Sequence, residues 1–202
     1  MEQDGLLPLY EQVRRKILSE IEAGRLAEGS FLPPELELCA TYGVSRITLR
    51  RAVPADAARL NAALRQLSEG MGDVHRASDA QIAQAIAPGG SCHALLAHRD
   101  EGMVGAALFS PLFSTARGMA GVYVSDLWVD AAQRGAGLGP LLLAGVRDAG
   151  AQLWGAGFLR LGVYSDNTRA RAFYDRLGFT HAPDENYLTL SGAALAALKG
   201  AS

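Results

Sequence analysis

The sequence predicts an α/β fold, α+β in arrangement: a mixed sheet with helices on both faces and a small N-terminal helical appendage. Three observations predict it. From Ile47 to Leu190, runs of period-two alternation are interspersed with amphipathic runs of helical period, in the order β-α-α-β-β-β-α-β-α-β-β. One strand passes through a Gly-rich turn directly into an apolar helix, within Tyr123 to Val146. Residues 1–46 carry only short helical patterns separated by small-residue turns.

Composition bounds the remaining classes. The chain has 202 residues and a formal net charge of −2, room for one ordinary domain plus an appendage and no charge-based case for polyanion binding. Cys39 and Cys92 lie far apart in apolar surroundings and read as buried reduced thiols. The start Met1-Glu2-Gln3-Asp4 is polar and acidic, and no long apolar run follows. A cytoplasmic, soluble protein without a membrane partner is therefore expected. His75, His93, His98 and His181 show no metal-ligand spacing, so no metal is expected.

Leu9 to Ala23 is an amphipathic helix with Leu9, Val13, Ile17 and Ile21 at steps of four, and Gly24 follows as its cap. Pro33-Pro34 opens a second helix, Glu35 to Thr41, and Tyr42 to Arg46 forms a turn with Ser45 placed to cap a third. The segments 8–17, 24–39 and 42–53 resemble the N-terminal domain of GntR-type transcription regulators. That resemblance implies a helix-turn-helix and sets Ser45, Arg46, Thr48 and Arg50 against DNA. Two features depart from the family: Pro33-Pro34-Glu35-Leu36 lacks the usual arginine, and no two-stranded wing follows Val53.

Residues 47–53 read two ways. As the end of the regulator pattern they are a recognition helix. Read forwards, Ile47, Leu49, Arg51 and Val53 alternate as a strand that breaks at Pro54. The strand reading is favoured, because the following helix needs a sheet and the wing is missing. The chain then divides into a truncated regulator-like fragment, 1–46, and a larger domain, 47–202.

In the larger domain, Asp56 to Glu69 is a helix with Leu60, Leu64 and Leu67 on one stripe. Ser78 to Ala87 is a second, capped by Ser78 and stopped by Pro88-Gly89-Gly90. Cys92 to His98 and Met103 to Ser110 form a hairpin, and Pro111 to Gly121 reads as a loop. After the central strand, turn and helix come a strand at Phe158 to Tyr164 and a helix at Thr168 to Leu177. Short strands at Phe179 to His181 and Tyr187 to Leu190 complete the order.

The turn Arg134-Gly135-Ala136-Gly137-Leu138-Gly139 carries chemistry. Free amides of a helix first turn point at a ligand, the helix dipole favours negative charge, and glycines admit close approach. Gln133 to Gly139, together with Val163-Tyr164-Ser165-Asp166-Asn167 and Arg171 to Phe179, resembles the GNAT superfamily of acetyl-CoA-dependent N-acetyltransferases. The resemblance covers about Ile47 to Leu190 and implies a mostly antiparallel GNAT-like sheet, with acetyl-CoA as cosubstrate. It implies that Arg134 to Gly139 hold the pyrophosphate, that the backbone of Leu127, Trp128 and Val129 pairs with the pantetheine arm, and that Asn167 and Phe173 contact that arm. Tyr174 would protonate the departing thiolate; its other reading is a core aromatic. Asp126 would attract a cationic amine and help accept its proton; its other reading is a surface carboxylate. PLFST (111–115) with YVSDLWV (123–129) looks like the diamine and polyamine acetyltransferases, with Ser125 where those commonly carry glutamate. The partners expected are a small amine and a second copy of the chain as a homodimer, with DNA as the alternative partner of a ligand-sensing regulator.

Overall fold

The computed structural model describes residues 9–26, 29–32, 47–100, 102–182, 185 and 187–198. The chain forms two compact units, Met1–Gly162 and Val163–Ser202. Helix α1 spans Leu9–Glu22, as the four-residue spacing predicts, and Gly24 after it takes φ 72°. The expected second helix, the turn to Arg46, Ser45, Arg46 and Cys39 lie outside the described residues.

The first unit is built on a five-stranded sheet whose spatial order follows the chain: β1 (Ile47–Arg51), β2 (His93–Arg99), β3 (Gly102–Ser114), β4 (Met119–Val129) and β5 (Leu159–Leu161). The first three pairings are antiparallel and β4 to β5 is parallel. A parallel neighbour needs a crossover, which the helix between β4 and β5 supplies. Residues 47–51 are a strand, with Ile47 opposite Arg99 and Arg51 opposite Leu95. Thr48 and Arg50 therefore stand on an edge strand and not on the recognition helix of the regulator resemblance.

Helices cover both faces. On one lie α2 (Ala57–Met71) and α3 (Asp79–Ile86), the latter capped by Ser78, whose hydroxyl accepts from Gln81 N–H at 3.3 Å. Leu60, Leu64, Ile82 and Ile86 from these helices pack with Ala94, Leu96, Ala106 and Trp128 from the sheet. On the other lies α4 (Leu138–Trp154), burying Leu138, Leu142, Leu143 and Val146. It comes so close that a Cβ on Gly145 would stand 2.8 Å from Leu49 Cδ1 and one on Gly150 2.3 Å from Val122 Cγ2.

The sheet has two irregularities: between Ala97 and His98 the register against β3 skips Val104, and a second one sets the faces of β4. Leu108 faces Asp126 and Phe109 faces Val124, so Ser125 is an extra residue, a β-bulge. Before it, Val122 lies under α4; after it, Trp128 joins the α2/α3 cluster. Strand side chains alternate, so without the bulge both would share a face. The bulge moves Asp126 to the α2/α3 side.

Three expectations are corrected. Residues 111–121 are the stem and turn of a long β3–β4 hairpin, with Phe113 opposite Ala120. The stem is packed: a Cβ on Gly121 would lie 2.4 Å from the Phe158 ring, and the Arg117 guanidinium sits 5.1 Å over that ring. The Phe158 to Tyr164 strand is shorter, Leu159–Leu161. In the second unit, the described residues of Phe179 to His181 and Tyr187 to Leu190 are not strands. Leu188 is 93 % exposed. Alternation makes a strand only beside a partner, and the elements described in that unit are helices α5 (Thr168–Arg176) and α6 (Gly192–Ala196).

Asp56, at the start of α2, holds the β1–α2 connection. Arg50 donates to its two oxygens at 2.7 and 2.6 Å, and Val53 N–H donates at 2.9 Å. These donors favour the carboxylate, and its pKa falls from the usual value to about 2. A carboxyl with a depressed folded-state pKa stabilises the fold above its unfolded pKa and loses that stabilisation as pH falls through the folded one. Asp56→Asn should therefore cost on the order of 1–2 kcal/mol at pH 7 and nearly nothing near pH 2, read by urea denaturation across that range.

Candidate functional site

The strand-to-helix turn after β4 is held at its start by Asp130 N–H donating to the Val104 carbonyl at 3.0 Å, and side chains tie it down at three further points. Asp130 accepts from Ala132 N–H at 2.8 Å, capping a 3-10 turn at Ala131–Gln133. Arg134 Nε donates to the Val129 carbonyl at 3.2 Å. The Gln133 side-chain oxygen accepts from Arg99 Nη1, a contact across the sheet between residues 34 apart in sequence. Gly135 and Gly137 take φ 84° and 82°, left-handed conformations that side chains with a Cβ resist.

That backbone path leaves the amides of Gly135, Gly137, Leu138 and Gly139 without hydrogen-bond partners among the described residues. Pro140 has no N–H, and the helix ladder begins with Leu141 N–H to the Gly137 carbonyl at 3.2 Å. Four unpaired amides beside the positive end of a 17-residue helix form an anion cradle. Next to it, β5 pairs with β4 only from Val122 to Val124. Leu127, Trp128 and Val129 pair with β3 on one side, and among the described residues no strand takes the other. The Trp128 side chain is core, so an extended ligand would meet backbone here.

Asp126 is half-buried, and desolvation raises its pKa from the ordinary carboxylate value; the neighbouring Ser125 hydroxyl and then His75 work in the opposite direction. Ser125 Oγ, at the bulge, donates to the Leu108 carbonyl at 3.2 Å. His75 is held in the α2–α3 loop by Asn61, which is 1 % exposed. Asn61 Nδ2 donates to the Ala77 carbonyl at 3.1 Å and to Asp79 Oδ1 at 2.7 Å. Its oxygen therefore faces His75 Nε2 at 2.7 Å, and that nitrogen carries the proton. The sequence offered no signal for this pinned histidine. A long-range pairing through a buried Asn has no local pattern.

In the second unit, Asn167 caps α5, its Oδ1 accepting from Ala170 N–H at 3.0 Å. Its amide nitrogen has no acceptor among the described residues. Tyr174 packs edge-on against Phe173 at 5.0 Å and Phe179 at 5.4 Å between centroids. Burial raises its pKa, so the phenol keeps its proton, and its hydroxyl bonds to no described residue. Thr48 and Arg50 show no grouping suited to DNA: Thr48 pairs with His98 in the sheet and Arg50 is taken up by Asp56. Among the described residues no group of three or more His, Cys, Asp or Glu could hold a metal ion. No described helix is long and apolar enough to cross a membrane.

A family model described as "Acetyltransferase (GNAT) family" matches residues 60–179, more than half of the chain. The chain belongs to the GNAT acetyltransferase family. Solved structures agree in fold. An integron cassette protein from the mobile metagenome of V. cholerae superposes with TM-score 0.63 at 19% identity, covering 74% of this chain and 95% of that one. A ribosomal-protein-alanine N-acetyltransferase from Brucella melitensis biovar Abortus 2308 gives TM-score 0.60 at 20% identity, covering 73% and 100%.

A second model, "Bacterial regulatory proteins, gntR family", matches residues 9–55. The chain is 47% identical over 45 residues to a probable fructoselysine utilization operon transcriptional repressor of Escherichia coli K12, covering 22% of this chain and 18% of that protein. It is 39% identical over 49 residues to the HTH-type regulator SmoD of Agrobacterium fabrum, covering 24% and 21%. The chain thus spans about a fifth of the length of the curated relatives it matches.

GNAT enzymes use acetyl-CoA, and the four unpaired amides with the open β4 edge fit its pyrophosphate and its pantetheine arm. Gly137→Val should force a branched side chain into a left-handed backbone, a cost of about 2 kcal/mol, and weaken coenzyme A binding by roughly tenfold or more in titration calorimetry.

Proposed function

We propose that the chain is an N-acetyltransferase that moves acetyl from acetyl-CoA to a primary amine of a small, cationic substrate by direct attack. The observation that carries this reading is the amide cradle at the start of α4 beside the open edge of β4. Acetyl-CoA supplies the activated acetyl group as a thioester. Arg134, Gly135, Ala136, Gly137, Leu138 and Gly139 hold its pyrophosphate, and Leu127 to Val129 align its arm through backbone hydrogen bonds. Asn167 donates to that arm from its amide nitrogen, and Phe173 lies against it. Asp126 draws the protonated amine and takes its proton through water, for which a raised carboxyl pKa is suited. Tyr174 gives its proton to the departing thiolate. No activated Cys or Ser is placed for a covalent step among the described residues. Cys92 is a free thiol whose pKa is raised by burial.

The reading includes a division at 46/47, a cytoplasmic setting and a homodimer. Thiol release from acetyl-CoA over a panel of small amines tests it. Tyr174→Phe should lower kcat by about 10²-fold or more. In the wild type, kcat/KM should rise with pH through a pKa above the ordinary carboxylate range, because only ionised Asp126 accepts a proton. Asp126→Asn should remove that limb. Tight coenzyme binding without turnover on any amine would sink the proposal.

The match to GntR-type regulators at residues 9–55 supports a second reading, a DNA-binding regulator with a ligand-sensing GNAT domain. Its weakness is that residues 47–51 are already spent as β1. Labelled operator-like duplexes should show no sequence-selective binding by anisotropy at low salt. Selective, salt-dependent binding lost in Arg46→Ala would establish the regulator reading instead.

A further inference from the structure

We infer that Arg99 is a positioning residue for the coenzyme cradle, acting through Gln133; the inference rests on the acetyltransferase reading above. The register shift at Ala97/His98 skips Val104 of β3, while the pairing of β2 with β1 runs unbroken, so alternation along β2 sets Arg99 on the face of Ala97, and that face is the α4 side. A Cβ on Gly105 would lie 3.3 Å from Ala97 Cβ and 2.9 Å from Leu142 Cδ1 of α4. Its backbone is held between two neighbours, Ile47 of β1 and Gly102 of β3. From this rigid base the guanidinium reaches the Gln133 side chain, immediately before Arg134 and the left-handed glycines.

The arrangement has no other evident use. Arg99 is half-buried, and its Nε–H is fully buried without a hydrogen-bond partner among the described residues. An unpaired buried donor is unfavourable, and an apolar side chain there would avoid it. What the guanidinium does achieve is to fix the Gln133 side of a turn that β3 holds at its first residue, where Asp130 N–H donates to the Val104 carbonyl at 3.0 Å; past that point the other described contacts are local, Asp130 to Ala132 and Arg134 to Val129 among them. Left-handed glycines allow many backbone paths, so amides converging on one anion need an outside constraint. The Arg99–Gln133 hydrogen bond supplies it.

The test uses the full chain with coenzyme A as the calorimetric probe, and steady-state acetylation of an amine the wild type accepts. Arg99→Met and Gln133→Ala should each weaken coenzyme A binding and raise its KM by about tenfold, the scale of one hydrogen bond to a charged group. The acceptor KM, and kcat at saturating acetyl-CoA, should stay within about twofold. The double variant should be no worse than either single one, because both remove the same contact. Arg99→Lys, which keeps a donor, should recover part of the affinity and guards against a variant that fails to fold. Unchanged affinity in the single variants, or losses that multiply in the double, would overturn the inference while leaving the acetyltransferase intact. A wild type that does not bind coenzyme A would overturn both.

Discussion

The register of β4 is the constraint on which the rest of the first unit depends. A strand that alternates without interruption would put Val122, Val124, Asp126 and Trp128 on one face, under α4. There, Leu138, Leu142 and Val146 are packed to zero or one per cent exposure, and a carboxylate among them would be costly. The extra residue at Ser125 divides the strand. Its first half serves the α4 layer, its second half serves the α2/α3 layer, and Asp126 arrives where a half-buried carboxyl is tolerated. Ser125 also repairs the ladder it interrupts, donating its hydroxyl to the Leu108 carbonyl. In look-alike acetyltransferases a glutamate commonly occupies this position. Here a short hydroxyl side chain serves the backbone, and the carboxyl nearest this point of the strand is that of Asp126.

The cradle follows from where pairing stops. β5 is three residues long and ends opposite Val124, so among the described residues the half of β4 beyond the bulge keeps an open edge. The chain then leaves β4 through two left-handed glycines and enters α4 before any carbonyl can meet the first amides. An open strand edge followed by a bare helix N-terminus is unfavourable in isolation, because each unpaired group seeks a partner. One extended ligand carrying an anion part-way along would satisfy both, which is the shape the proposed coenzyme A site calls for, whereas a compact phosphate would use only the turn.

Local signals made much of this legible. The 3.6-residue stripe of Leu60, Leu64 and Leu67 and the Ser78 cap announce their helices because the information lies within one turn. Gly135 and Gly137 announce the cradle because only glycine adopts that backbone readily. The hairpin at 111–121 was hidden by Pro111 and a Ser/Thr-rich composition, although antiparallel pairing and the Phe158 ring against Gly121 stabilise it. The alternation of Tyr187 to Leu190 misled in the opposite direction, since pattern without a pairing partner gives no strand. The bulge at Ser125, the Asn61–His75 pairing and the Arg99–Gln133 contact are relations between distant segments, and composition carries no trace of them.

The N-terminal fragment poses a question of exclusion. Residues 47–55 belong at once to the stretch matched by the regulator model and to the start of the acetyltransferase fold. A backbone segment cannot be a recognition helix and an edge strand together. In the sheet, nearly every residue of β1 is committed: Ile47 faces Arg99, Leu49 packs beneath Gly145, Arg50 clasps Asp56, and Arg51 bonds His93. Releasing the strand would expose Leu49, leave β2 as a bare edge and strand the Asp56 carboxylate without its cation. Each loss is on the order of 1–3 kcal/mol, against a whole-domain stability of roughly 5–15 kcal/mol. DNA contacts made by Thr48 and Arg50 would have to repay that sum before contributing any affinity. With net charge near zero and no wing to add phosphate contacts, little is available to do so. On these magnitudes the sheet holds Ile47–Arg51, and that segment is not free to serve as a recognition helix.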